Sequence, residues 1–230
     1  FVGNYTEEKI KKVMQILKED FAGFDAQLII MDVVPWMLPY YEASGIQFEI
    51  EDNRDYMDYT FTPEQFLAGM DMQDDRYRYN YFKRRFAYET EEITPFHREE
   101  IREFMEREWC GEKTCEECHC GCLLRVIDNL VPVFDKIRIN GILVRVEGKM
   151  AGLCIVSCRN GLGVYQYKNA VNRIKGINEY LLRESFERYL QSADTINYTE
   201  DMGVENLRYY KEHMAPAHTL LSKLTLTERG

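Results

Sequence analysis

Apolar positions in the first fifty residues alternate between a helical and an extended spacing. Over residues 6–21, Ile10, Val13, Met14, Leu17 and Phe21 recur three and four apart, which predicts an amphipathic helix stopped by Gly23. The apolar run from Gln27 to Val33 predicts a buried strand. Val34 to Ala43 reads as a short helix with Pro35 in its first turn, and Ile46 to Ile50 as a second strand. This α-β-α-β order is half of a layered α/β unit.

A second unit begins near Tyr56. Met57 to Phe61 reads as a strand, and Thr62-Pro63-Glu64-Gln65 carries the signature of a helix start. Arg76 to Tyr88 predicts a helix and Glu91 to Thr94 a strand. Phe96 to Trp109 predicts a helix with Ile101, Phe104, Met105 and Trp109 on one face, and Leu123 to Phe134 another. Ile139 to Val146, the turn Glu147-Gly148-Lys149 and Met150 to Cys158 form a hairpin, and Leu162 to Tyr167 extends the meander. A helix over Ile174 to Leu190, a strand over Thr195 to Tyr198, a helix over Val204 to His213 and a strand over Thr219 to Leu226 complete the chain. The fold class is α+β, with α/β layering: a mixed sheet flanked by helices.

Of the 230 residues, 45% are hydrophobic and 13% aromatic, enough for a core and too many for a collagen-like, disordered or low-complexity chain. No apolar run approaches the roughly 20 residues that cross a bilayer. The first helix carries Glu7, Glu8, Lys9, Lys11 and Lys12, unlike a signal peptide. The expectation is a soluble cytoplasmic protein without stable membrane insertion. The chain opens at Phe1, which predicts a preceding segment. Lys and Arg number 29 against 39 Asp and Glu, a net charge of −10. That balance argues against a nucleic-acid grip over the whole surface and leaves room for a local basic site. Seven cysteines, an odd number, point to reduced thiols.

Two motifs give the chain a family likeness. One runs from Ile196-Asn197-Tyr198-Thr199-Glu200-Asp201-Met202-Gly203 through Leu207-Arg208-Tyr209-Tyr210-Lys211, with Pro216 after it. The other joins Asp58-Tyr59-Thr60-Phe61 to Lys83-Arg84-Arg85 and Phe96. They resemble the N-x-E-D-L-G-x-x-G-L-R-x-x-K and the D-Y-x-Y, K-R-N and F segments of soluble relatives of the phosphatidylglycerol lysyltransferase C-terminal domain, which has the Gcn5-related N-acetyltransferase (GNAT) fold. Met202 stands in place of leucine, Arg85 in place of asparagine, and Tyr167-Lys168 where relatives have an acid followed by lysine. The resemblance implies tandem GNAT-like units, a partial one over residues 1–55 and an acyltransferase unit over residues 56–230. It implies transfer of an acyl or aminoacyl group to an amine or hydroxyl of a small-molecule acceptor. The donor is an aminoacyl-tRNA or an acyl-CoA, and a non-catalytic binding module on the same fold is the rival from another class. The oligomeric state is left open.

Several residues are candidates for that chemistry. Glu200 and Asp201, at a strand end, offer paired carboxylates as general base or ammonium holder; the alternative is that Asp201 caps the next helix. Tyr210 is a candidate proton donor to a leaving group. Arg208 and Lys211 share a helix face and could hold a phosphate or an acidic acceptor; otherwise they form surface pairs. Arg173, Lys175 and Gly176 open the helix at Ile177 in an approximation to the GNAT pyrophosphate loop, where backbone N–H groups receive the cofactor phosphates. Lys83, Arg84 and Arg85, with Arg76, Arg78 and interleaved Tyr77, Tyr79, Tyr81 and Phe82, form an acid-free run suited to tRNA or a phosphorylated substrate. The alternative puts those aromatics in the core and pairs the arginines with the acidic stretch from Glu89 to Glu117. Cys110, Cys115, Cys118 and Cys120 are close enough in sequence to form a zinc site, although the spacing lacks two separated C-x-x-C knuckles. Catalysis also requires the chain near Asn197 to diverge from the strand near Tyr165.

Overall fold

The computed structural model describes residues 6–21, 27–110, 123–137, 139–214 and 218–229. In chain order the elements are α1 (Glu7–Phe21), β1 (Ile29–Val33), α2 (Leu38–Glu42), β2 (Phe48–Asp52), β3 (Asp58–Phe61), α3 (Pro63–Met70), α4 (Gln73–Arg85), β4 (Tyr88–Glu92), α5 (Arg98–Met105) and α6 (Leu123–Leu130). They continue with β5 (Asn140–Val146), β6 (Lys149–Arg159), β7 (Leu162–Ala170), α7 (Ile177–Ser185), β8 (Thr195–Asn197), α8 (Glu205–Met214), β9 (Thr219–Leu221) and β10 (Leu224–Glu228). The contacts divide them into two compact units. One comprises Phe1–Tyr59, Glu200–Tyr209 and Leu220–Gly230, the other Thr60–Thr199 and Tyr210–Thr219.

In the first unit β10 lies between β1 and β2 and is antiparallel to both. Its core gathers Ile10 and Met14 of α1 with Val33, Met37, Tyr41, Leu224 and Leu226. The helical spacing read from the sequence is thus the face that packs. The expected helix over Val34 to Ala43 divides into a 3₁₀ turn, Pro35–Met37, and α2.

The second unit carries a seven-stranded mixed sheet in the order β4-β5-β6-β7-β8-β3-β9. The hairpin and meander of β5, β6 and β7 are antiparallel, and β7 pairs with β8 in parallel. Thr62 caps α3 through a capping box: the Gln65 N–H donates to its Oγ1 while its own N–H donates to Gln65 Oε1. That helix delivers Phe66, fully buried, into the core. Gly152 on β6 lets α7 come close, since a Cβ there would meet Leu181 Cδ1 at 2.9 Å.

The helix expected over Arg76 to Tyr88 begins and ends earlier, at Gln73–Arg85, because Phe86 turns to an extended backbone at φ −110°, ψ 142°. The next strand accordingly starts at Tyr88. The helix expected from Ile174 starts at Ile177, behind the left-handed Gly176, and closes in a π-helical turn, Phe186–Leu190. The final strand divides into β9 and β10.

Candidate functional site

β7 and β8 pair at Leu162 with Thr195, Gly163 with Ile196 and Val164 with Asn197, and the ladder stops there. A bulge helps to explain the separation. Val156 of β6 faces Tyr165 and Ile155 faces Tyr167, which leaves Gln166 as the extra residue that bends β7. The strands therefore part where the sequence required, but the start of the opening is filled. The rings of Tyr165 and Tyr198 meet edge to face at 5.3 Å, and Phe66 lies 5.3 Å from one and 5.8 Å from the other. Tyr165 donates its hydroxyl to the Leu182 carbonyl at 2.8 Å. Burial pushes both phenols well up, so both keep their protons.

Lys211 is not on a solvated face: it is 4% exposed. Its ammonium donates to the carbonyls of Tyr198 at 2.6 Å and Thr199 at 3.2 Å and lies 4.7 Å from the Tyr198 ring centre. Its donors thus fasten the chain end of β8 and are turned away from any external phosphate.

A narrow crevice with room for about one water is lined by Asp75, Tyr79, Glu179, Leu182, Arg183 and Tyr210, among others. Asp75 comes from the first turn of α4 and Glu179 from the first turn of α7. Arg78 donates to Glu179 at 3.4 Å. Asp75 makes no hydrogen bond or ion pair within bonding distance among the described residues. Burial, together with the charge of Glu179, pushes its carboxyl up to about 6. Lys168 donates to Asn178 Oδ1 at 3.1 Å and lies 5.4 Å from the Tyr210 ring centre; burial pulls its ammonium down. Burial raises the Tyr210 phenol. Asp75 and Glu179 were not legible as site residues, because an acid in the first turn of a helix is ordinary; Lys168 stood at the lysine of the family's acid-lysine pair but was not singled out as a site residue.

The loop read as a phosphate cradle is partly covered. Gly176 has φ +89°, and a Cβ on it would lie 2.1 Å from the Arg78 carbonyl oxygen, so α4 packs directly against this end of α7. Buried Glu179 adds a carboxylate to the same turn. Arg173 pairs with Glu108 at 3.6 Å. Lys175 holds its ammonium 4.8 Å and 5.1 Å from the ring centres of Tyr77 and Tyr81.

The basic run divides by face. Phe82 is fully buried, and Tyr79 stacks on Tyr180 at 6.0 Å, while Tyr77 stays 50% exposed. Lys83 donates to the Tyr79 hydroxyl at 3.1 Å, and Arg84 to the Asn80 carbonyl at 3.2 Å. Among the described residues Arg76, Arg84 and Arg85 make no ion pair within bonding distance; the alternative pairing with the acidic stretch is not seen in its described part, and residues 111–117 of that stretch lie outside the described residues. The outcome is an exposed surface of arginines and lysines in which Tyr77 is the exposed ring and Tyr79 and Tyr81 are half-buried, with Lys175 facing Tyr77 and Tyr81.

In the first unit, Asp201 is fully buried at the centre of a hub rather than beside Glu200 in a carboxylate pair. Its oxygens accept from Tyr59 Oη at 2.7 Å, Arg54 at 3.0 Å, both Nε (3.0 Å) and a terminal nitrogen (2.9 Å) of Arg208, and the Gly203 N–H at 3.0 Å. Burial alone would raise the carboxyl, but these donors outweigh it and hold Asp201 well below the usual carboxylate range. A carboxylate so occupied is an anchor and a poor base. Arg208 is fastened in turn to Asp55 at 2.6 Å. Glu200 lies 3.5 Å from Lys223, which also pairs with Asp58 at 2.8 Å.

Cys115, Cys118 and Cys120 lie outside the described residues, as does the side chain of Cys110. Among the described residues no group of three or more His, Cys, Asp or Glu side chains is placed to hold a metal ion. No described helix is long and apolar enough to cross a membrane.

The mixed sheet, the bulged central strand and the parting of β7 from β8 define a GNAT-like transferase fold. The chain belongs to the family of phosphatidylglycerol lysyltransferase C-terminal domains, whose model matches residues 2–222. It is similar to a conserved protein of unknown function from Bacteroides thetaiotaomicron, with 26% identity and a TM-score of 0.80 over 99% of this chain and 77% of that one. It is similar in fold to L-PGS from Bacillus licheniformis, with 14% identity and a TM-score of 0.65 over 97% and 74% of the two chains. A tandem GNAT protein from the clavulanic acid biosynthesis pathway shares the fold at 11% identity and a TM-score of 0.54, over 94% and 68%. Among curated proteins none matches the sequence.

Proposed function

We propose that the chain is an aminoacyltransferase that takes its acyl group from a charged tRNA and passes it to an amine or hydroxyl of a small acceptor. The observation that carries this reading is the exposed basic surface of α4 with Lys175, where Arg76, Arg84 and Arg85 make no ion pair among the described residues and Tyr77 is exposed beside them. Guanidinium groups neutralise phosphates, and aromatic faces stack on unpaired bases such as those at a tRNA acceptor end. The tandem division at residues 1–55 and 56–230 belongs to the same proposal.

The reactive carbonyl would lie beyond the rings of Tyr165 and Tyr198 that fill the start of the opening, facing backbone amides of β7 that could hold the developing oxyanion. Asp75, poised near neutrality, is suited to accept a proton from the acceptor. Tyr210, whose proton burial holds, is suited to return one to the departing ribose oxygen. Asp201, Arg54 and Arg208 position the segment between β8 and α8.

The second reading, an acyl-CoA-dependent N-acetyltransferase, is favoured by the parting of the strands. It is opposed by the α4 contact at Gly176 and by the carboxylate of Glu179 where a pyrophosphate would sit. Equilibrium binding of charged tRNA at several salt concentrations tests the choice. The proposal predicts salt-sensitive binding, with the slope of log K against log salt reduced by about 2 when Lys83, Arg84 and Arg85 are replaced together by alanine. Stabilisation by acetyl-CoA without tRNA binding would favour the second reading instead.

A further inference from the structure

The three-stranded sheet of the first unit leaves one long side of β2 unpaired among the described residues, because β10 lies between β1 and β2. The ladder shows what that side offers. The Arg229 N–H donates to the Gln47 carbonyl, and in the same register Thr227 faces Glu49 and Thr225 faces Glu51. Bonded and open positions alternate along an antiparallel pair, so Phe48 and Ile50 turn their N–H and carbonyl groups away from β10. The other edge of the sheet is blunted: Asp32 on β1 takes φ 59°, and the register shifts between Ile30 and Val33. β2 keeps an unbroken register with β10 over all five of its residues.

Beside the open edge is a groove of about 150 Å³, lined by Tyr41, Ile46, Phe48, Ile50 and Leu226, among others, and by Glu42. Ile50 is 50% exposed, although Leu226, its cross-strand partner on β10, is fully buried. The inner face of β2 is thus covered on the side of β10 and open on the other. The opposite face carries charge of one sign. Glu49 and Glu51 alternate with Phe48 and Ile50 and are exposed. Between Lys18 and Arg54 the chain has eight acids and no Lys, Arg or His. Glu49 has Arg229 at 3.9 Å, and Glu51 makes no ion pair within bonding distance among the described residues.

We propose that β2 accepts an extended segment of a partner protein as an added antiparallel strand, and that this segment alternates apolar with basic residues. The outward N–H and carbonyl groups of Phe48 and Ile50 pair with its main chain, about 4.8 Å away. Its apolar side chains enter the groove, which has room for one or two branched aliphatic groups, since a cavity of about 150 Å³ holds a benzene molecule. Its basic side chains fall on the other face, opposite Glu49 and Glu51. A second copy of this chain is the wrong occupant. Two-fold pairing of β2 with itself about Ile50 sets Glu49 of each copy opposite Glu51 of the other, and like charges directly opposite destabilise a strand pair.

Fluorescence anisotropy of the full chain with labelled, end-capped seven-residue peptides tests the proposal. A peptide alternating lysine with valine is expected to bind, and one alternating glutamate with valine to bind at least tenfold more weakly. In an antiparallel strand beside Ile50 the valine N–H groups face β2 and the lysine N–H groups face water. N-methylation of the valines should therefore weaken binding at least tenfold, and N-methylation of the lysines should leave it within about twofold. The double variant Glu49→Lys, Glu51→Lys should lose at least tenfold in affinity for the lysine peptide, with its folding checked by circular dichroism. The methylated peptides use the unaltered protein and decide the matter even if that variant fails to fold. Failure of the lysine peptide to bind, equal binding of the lysine and glutamate peptides, or any other methylation pattern overturns the proposal. So does a dimer in analytical sedimentation that the lysine peptide dissociates, which would assign the edge to a second copy.

Discussion

Two aspartates show how environment decides what a carboxylate can do. Asp201 is saturated by Tyr59, Arg54, Arg208 and a backbone N–H, and stays ionised because those donors outweigh the effect of burial. Asp75 has no such partners, so burial and Glu179 raise it. The signs of their contributions to stability are opposite. The folded pKa of Asp201 is depressed, so its stabilisation is present above the unfolded value near 4 and is lost as the pH falls through the folded value. The folded pKa of Asp75 is raised to about 6, so its ionisation disfavours the fold at pH 7 and has no such effect below about pH 4. Asp75→Asn is therefore expected to stabilise the chain at pH 7 by on the order of 1 kcal/mol, the full shift being reduced by solvent screening, and to leave stability near pH 4 unchanged. Asp201→Ala should destabilise it by about 2–4 kcal/mol, because two guanidinium groups lose their common anion; each is about one-third exposed and regains some water. Urea denaturation at the two pH values checks both outcomes.

At the scale of elements, periodicity located most helices and strands, and the departures have local causes. Phe86 adopts an extended backbone and ends α4 early, and Gly176 takes a positive φ and delays the start of α7. The bulge at Gln166 was not legible, because nothing in Tyr165-Gln166-Tyr167 distinguishes it from a regular strand. The parting of β7 and β8 was expected from the family motif, whereas its filling by Tyr165, Tyr198 and Phe66 emerges only from packing. The family motif singled out Asp201, Arg208 and Lys211, and the structure gives each of them hydrogen-bond partners within the chain. The candidate site was not legible where long-range packing makes it, as for Asp75 and Glu179, which are 104 positions apart in the sequence (179 − 75) and share one crevice. Gly176 is the position where the α4–α7 junction is most constrained. Gly176→Ala combines a positive φ with a 2.1 Å approach to the Arg78 carbonyl, and should cost more than about 2 kcal/mol in thermal or urea unfolding.

Over the whole molecule, a net charge of −10 surrounds a local basic surface. Salt screens the long-range repulsion between this net charge and a polyanion, the Debye length being about 10 Å at 0.1 M, so this effect opposes and partly offsets the loss of phosphate contacts as ionic strength rises. The central claim is that the chain moves an aminoacyl group off tRNA. The direct measurement follows labelled amino acid on total charged tRNA incubated with the protein and a mixture of small amines and polyols. The account predicts transfer of label from acid-precipitable tRNA to a soluble conjugate, with the rate reduced at least tenfold in Tyr210→Phe. Label that stays on tRNA, or leaves it only at the rate of spontaneous ester hydrolysis, would contradict the account.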